Sequence, residues 1–107
     1  MVIEISDTLE YSDILRENRF VVIDIYADWC APCKKIEPEF ANLEKNEEFT
    51  QVKFIKIHIE NMDDMCLNFE TPTSIPSFYL IRDGSLVETL KGTNMENLKQ
   101  SIKALVK

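Results

Sequence analysis

Phe20-Val21-Val22-Ile23-Asp24-Ile25-Tyr26 leads through Ala27-Asp28 into Trp29-Cys30-Ala31-Pro32-Cys33-Lys34. The first seven residues read as a strand apolar on both faces, the kind buried inside a parallel sheet. A helical pattern follows, from Cys33 to Asn46. Two thiols three residues apart thus stand where a strand gives way to a helix. A helix N-terminus favours negative charge because its first backbone N–H groups are unpaired. Cys30 is therefore expected to ionise below the ordinary thiol range, and the thiolate is the form that attacks disulfides. Cys33, one turn further on, is close enough to close a small disulfide ring with it. Pro32 fits the first helical turn, where no N–H is required. Trp29 sets a large flat surface beside the attacking sulfur. The chemistry suggested is thiol–disulfide exchange.

Half of a zinc site has the same spacing, but a zinc site needs four ligands. Beyond the pair the chain offers only Cys66 and one histidine, His58. An iron–sulfur cluster asks for four thiolates, which three cysteines do not supply. Asp24 is the other anomaly, a carboxylate inside the apolar run and six positions before Cys30.

Length and charge narrow the setting. A chain of 107 residues predicts one domain with a substantial core. Its net charge of −7 disfavours nucleic acid and anionic membrane surfaces, and aids solubility. Met1-Val2-Ile3-Glu4-Ile5-Ser6-Asp7 has neither a basic n-region nor a long apolar stretch, so no secretory signal is expected. No apolar run approaches membrane-spanning length. The expected compartment is the cytosol, where Cys-x-x-Cys beside a βαβ pattern reads as redox-active.

Around the central stretch the elements read in order. Val2 to Ile5 is a short strand, and Asp7 caps a helix whose apolar face is Leu9, Ile14 and Leu15. Ile36, Phe40 and Leu43 form the core face of the helix after the cysteines, with Pro38 predicting a kink there. Val52 to Ile59 is the next strand, completing a βαβ unit. Met62, Met65, Cys66 and Phe69 mark a short helix capped by Asn61, with Cys66 expected buried and inert. After a loop carrying Pro72 and Pro76, Ser77 to Ile81 and Leu86 to Leu90 flank Asp83-Gly84, a hairpin signal. Thr93 and Glu96 suggest a capping box for a closing helix lined by Met95, Leu98, Ile102 and Leu105. His58 reads as solvated charge. The order β-α-β-α-β-α-β-β-α predicts a mixed central sheet with helices on both faces.

Taken together, Val22-Ile23-Asp24, Ala27 to Lys34, Pro38, Ile75-Pro76-Ser77, Asp83-Gly84 and Gly92 make this chain resemble the thioredoxin family over essentially its whole length. The resemblance implies an α/β thioredoxin fold, a five-stranded mixed sheet of order 1-3-2-4-5 flanked by four helices. It implies that Cys30 is the nucleophile and Cys33 the resolving, largely buried thiol. It puts Pro76 in cis facing the cysteines, with the Ile75 backbone pairing with an extended substrate. Asp24 matches the buried acid that exchanges a proton with Cys33, and Lys56 the lysine that modulates it. Trp29, Pro32, Ile75, Pro76 and Gly92 match the apolar docking surface. No cofactor is implied beyond the redox-active Cys30–Cys33 disulfide, and no metal. The implied partners are protein disulfides and a separate reductase of the thioredoxin reductase type, with the protein itself a monomer.

Within that resemblance Ala31 replaces the commoner glycine, the loop from Phe69 to Pro76 is longer, and Lys91 adds charge beside Gly92. Two other readings share the fold: an interaction or assembly subunit with incidental redox activity, and an oxidase or isomerase domain. Asp24, Lys56, Pro76 and both thiols occurring together favour a cytoplasmic protein-disulfide reductase.

Overall fold

The computed structural model describes residues 2–65 and 69–107. Five strands form one sheet: β1 (Ile3–Glu4), β2 (Phe20–Tyr26), β3 (Val52–His58), β4 (Ser77–Arg82) and β5 (Ser85–Lys91). Their spatial order is β1-β3-β2-β4-β5, as the family resemblance implied. Four helices flank them: α1 (Thr8–Glu17), α2 (Ala31–Glu44), α3 (Met62–Met65) and α4 (Met95–Leu105). Two 3-10 turns, Glu47–Phe49 and Ile59–Asn61, were not legible in the pattern.

Strand β2 is central because both of its faces are apolar. It pairs parallel with β3 and antiparallel with β4, and its first six residues are buried. Alternation then divides the core. Phe20 and Val22 face α2 and α4 beside Phe40, Phe54, Phe78 and Leu98. Val21, Ile23 and Ile25 face the other way, beside Tyr11, Ile55, Ile57 and Met65. Each such side chain removed from water contributes ~1.5–3 kcal/mol. By the same alternation Asp24 lies on the α2 face of the sheet.

Several element edges differ from the sequence reading. In α1, Asp7 accepts from the Leu9 N–H as N-cap, but Leu9 is 75% exposed and Tyr11 is buried in its place. Tyr11, Ile14 and Leu15 share one face at i, i+3 and i+4, and Leu9 lies round the helix from it. Helix α2 begins two residues earlier than its apolar pattern and runs through Pro38 without ending. Ile59 leaves β3 to begin a 3-10 turn capped by the His58 side chain, so Asn61 lies within that turn and does not cap α3. Cys66 falls outside the described residues. Helix α4 is capped by Asn94, whose side chain accepts from the Asn97 N–H at 3.0 Å. The Thr93–Glu96 box would have started it a residue too soon.

The β4–β5 turn follows its sequence closely. Asp83 and Gly84 both take positive φ (52° and 80°), which joins twisted antiparallel strands without splaying them. Strand β5 is the edge and faces solvent along most of its length, leaving Leu86 and Val87 exposed.

Candidate active site

Strand β2 delivers the chain to the top of the sheet, where Ala27 to Cys30 turns into α2. Cys30 is the N-cap of that helix in extended conformation, and the Cys33 N–H donates to its Sγ at 3.1 Å. The Cys30 sulfur thus takes the place that a serine or aspartate oxygen fills at ordinary helix starts. Cys30 and Cys33 are joined as a disulfide with Cα atoms 5.3 Å apart. Both cysteines are buried in this oxidised state, Cys30 included. They form a small cluster with Ala27, against which Tyr26, Ile59 and Ile75 pack.

The surface around the disulfide comes from three separate segments. Trp29 is 67% exposed and Pro32 is exposed beside it on the first turn of α2. Ile75 is half-buried and Pro76 buried, joined by a cis peptide bond. The Pro76 carbonyl accepts from the Gly92 N–H at 3.0 Å, tying the end of β5 to this loop. Gly92 has φ of 93°, a conformation that side chains disfavour. Ser77 Oγ donates to the Ser74 carbonyl at 2.6 Å and steadies the loop further. The residues named from the sequence as a docking surface are therefore brought together.

Beneath the disulfide, Asp24 is 3% exposed and its Oδ1 has no hydrogen-bond partner among the described residues. A cavity of about 210 Å³ adjoins it, with Cys33, Ala27, Tyr26, Glu37 and Lys56 also in its wall. Its polar lining and volume suit several water molecules. Burial pushes the Asp24 carboxyl up to about 7, opposed by Lys56 and assisted by Glu37. Lys56 is the register partner of Asp24 on β3, yet its Nζ pairs with Glu37 Oε1 at 3.6 Å. Tyr26 donates its hydroxyl to Glu4, and burial followed by that bond raises its pKa well above the usual phenol range.

Two residues of the site escaped the sequence reading. Glu37 lies one turn after Cys33, a spacing that places both on one face of α2. His58 is 9% exposed and not solvated charge. Its ring lies edge-on to Trp29 and Tyr26, with centroids 5.5 and 5.2 Å away. His58 Nδ1 accepts from the Glu60 N–H at 3.2 Å, which puts the neutral ring's proton on Nε2, 3.5 Å from Asp28 Oδ2. The period-two face shared by Phe54, Lys56 and His58 carried that signal. Among the described residues, no group of three or more His, Cys, Asp or Glu side chains is arranged to hold a metal ion. No helix there is long and apolar enough to cross a membrane.

Known proteins share this arrangement. A family model described as Thioredoxin matches residues 2–104. Thioredoxin 1 of Plasmodium falciparum is 35% identical over 102 residues, 95% of each chain. Thioredoxin-1 of Schizosaccharomyces pombe is 33% identical over 104 residues, covering 97% of this chain and 98% of the relative. A solved structure of the Plasmodium falciparum thioredoxin superposes with a TM-score of 0.85 at 34% identity, over 96% of this chain and 98% of that one.

Proposed function

The chain belongs to the thioredoxin family, and from that premise we propose how its residues divide the work of reducing a disulfide. The protein is a thiol–disulfide oxidoreductase that acts as a protein-disulfide reductase, with Cys30 and Cys33 at the active-site position. The observation that carries the mechanism is the Cys30 sulfur at the N-cap of α2, with Cys33 sharing a cavity with a buried Asp24 whose Oδ1 has no hydrogen-bond partner among the described residues.

In the reduced protein the Cys30 thiolate, favoured by the helix N-terminus, attacks one sulfur of a substrate disulfide. One substrate sulfur leaves with the electron pair of the broken bond, and a mixed disulfide at Cys30 remains. The Cys33 thiol then loses its proton to the Asp24 carboxylate, directly or through water in the adjoining cavity. Its thiolate attacks the Cys30 sulfur, the Cys30–substrate bond breaks, and the second substrate thiolate departs. Two electrons have passed to the substrate and the Cys30–Cys33 disulfide has formed. The Asp24 proton returns to solvent or to a departing thiolate. A carboxyl group titrating near neutrality suits both halves of that traffic.

Trp29, Pro32, Ile75, Pro76 and Gly92 form the docking face, where the Ile75 backbone pairs with an extended substrate segment. No cofactor is needed beyond the dithiol itself. Electrons come from a separate reductase, and the protein works as a cytoplasmic monomer in a compartment that keeps thiols reduced.

Trapping tests this scheme. Cys33→Ser should accumulate a stable mixed disulfide at Cys30 and lose multiple turnover in insulin reduction with dithiothreitol. A variant that still turns over removes Cys33 from the resolving role. The glutathione equilibrium of the wild type should fall nearer the ~−270 mV of reducing family members than the ~−180 mV of isomerases.

A further inference from the structure

We infer that Glu37 is a positioning residue for the resolving step: by holding the Lys56 ammonium at the rim between two cavities, it keeps that charge off the Asp24 carboxyl group. This rests on the proton-accepting role given to Asp24 above.

Asp24 and Lys56 lie directly opposite each other on parallel strands, on the same face of the sheet. A half-buried ammonium beside a buried, unpartnered carboxyl group is expected to pair with it, since attraction is strong where solvent is scarce. Here the Lys56 ion pair is with Glu37, and Asp24 Oδ1 is left without a hydrogen-bond partner among the described residues. Glu37 can compete because it is 62% exposed and keeps much of its hydration, while Lys56 is 26% exposed and reaches outward to it. The Tyr26 ring supports the same placement, with the Lys56 Nζ 5.2 Å from its centroid.

The location gives this pair its effect. One cavity, of about 210 Å³, lies under Cys33; a second, of about 600 Å³, runs between α2 and the first residues of the chain beside Val2 and Phe40. Asp24, Glu37 and Lys56 are common to both walls. The ammonium thus stands where it can face outward to Glu37 or inward to Asp24.

The other charged groups around Asp24 do not fill Glu37's place. Glu4 on β1 accepts from the Tyr26 hydroxyl, and Asp28 after β2 faces His58. Helix α2 also brings Cys33 and Lys34 to the smaller cavity, and Glu44 and Lys45 to the larger. Strand β4 sets only Phe78 opposite Asp24. Glu37 therefore raises the cost of ionising Asp24 in two ways, by its own charge and by drawing outward a Lys56 whose remaining charge still favours the carboxylate. The second way is the larger claim, and it is separable.

The test follows the Asp24 carboxyl titration by carbon NMR in the oxidised wild type, Glu37→Gln, Lys56→Met and the double variant. Glu37→Gln should lower the midpoint by at least ~0.5 pH unit, because Lys56 turns inward, and speed mixed-disulfide resolution up to ~3-fold below the midpoint. Lys56→Met should raise the midpoint. In the Lys56→Met background the Glu37→Gln shift should shrink to less than half. An unmoved midpoint in Glu37→Gln overturns the inference, and so does a full-sized shift in the absence of Lys56. If the midpoints move as stated while Asp24→Asn resolves mixed disulfides at the wild-type rate, the role of Asp24 fails and the positioning by Glu37 stands.

Discussion

Asp24 and His58 are both buried toward the disulfide end of the sheet, and they are treated in opposite ways. His58 has its needs met: a backbone N–H on one ring nitrogen, a carboxylate near the other, and two aromatic rings against its edges. Asp24 has a cavity, a lysine turned elsewhere and an oxygen with no hydrogen-bond partner among the described residues. A satisfied buried group fixes shape, whereas an unsatisfied one stores a cost that chemistry can use. On that contrast the His58 pocket is suited to hold Trp29 in place, and the Asp24 pocket to carry the proton proposed above.

Replacing Asp24 should expose the largest difference. Its folded-state pKa of about 7 lies above the unfolded value of ~3.9, so the wild type is penalised increasingly as pH rises between them. The penalty is absent below the unfolded value and complete above the folded one. Asp24→Asn should therefore leave stability nearly unchanged at pH 3 and raise it at pH 8, by at most ~4 kcal/mol. Resolution of the mixed disulfide should slow by up to ~100-fold. Urea melts at the two pH values, with single-turnover kinetics, measure both. A variant less stable at pH 8 yet fully active would make Asp24 a structural group like His58.

His58→Ala should do the reverse. It strips the Glu60 N–H of its acceptor and removes the ring behind Trp29, costing ~1–2 kcal/mol of stability. The resolving rate should stay within twofold of wild type, as ~0.4 kcal/mol allows. A slowing comparable to that of Asp24→Asn would erase the distinction between the two pockets.

How much of this was legible beforehand depended on whether a residue's role is local. The strand from Phe20 to Tyr26, the Asp83-Gly84 turn and the two thiols follow from short-range pattern and geometry. Asp24 stood out because a carboxylate broke an apolar run. Glu37 and His58 did not, because each looks like ordinary surface charge until packing fixes its neighbours. Leu9 failed in the other direction: it fits a helical face on paper, but Tyr11 fills the available space. The Thr93–Glu96 box lost to Asn94 for a local reason that sequence leaves open, namely which of two adjacent caps the chain adopts.

Trp29→Ala should give the smallest effect of the three. The side chain is mostly exposed, so stability should change by no more than ~0.5 kcal/mol. KM for a protein disulfide should rise ~5-fold, about 1 kcal/mol of lost docking, with the resolving rate unchanged. Steady-state assays with insulin and with oxidised glutathione would separate lost docking from lost chemistry, since the small disulfide has little to dock. Equal losses on both substrates would mean that Trp29, and with it the His58 pocket, acts on the reacting sulfurs.

The position of β2 in the middle of the sheet carries a consequence for how the molecule breathes. Its amides are locked between β3 on one side and β4 on the other, whereas β1 has two residues in the ladder and β5 only one neighbouring strand. Fraying of the edges leaves in place the β2 backbone that carries Asp24 and leads to Cys30, and solvent deuterium should reach the β2 amides only when the whole fold opens. The reactive frame is therefore the last part of the protein to come apart, and partners can tug at its rim without dislodging the acid beneath the sulfurs.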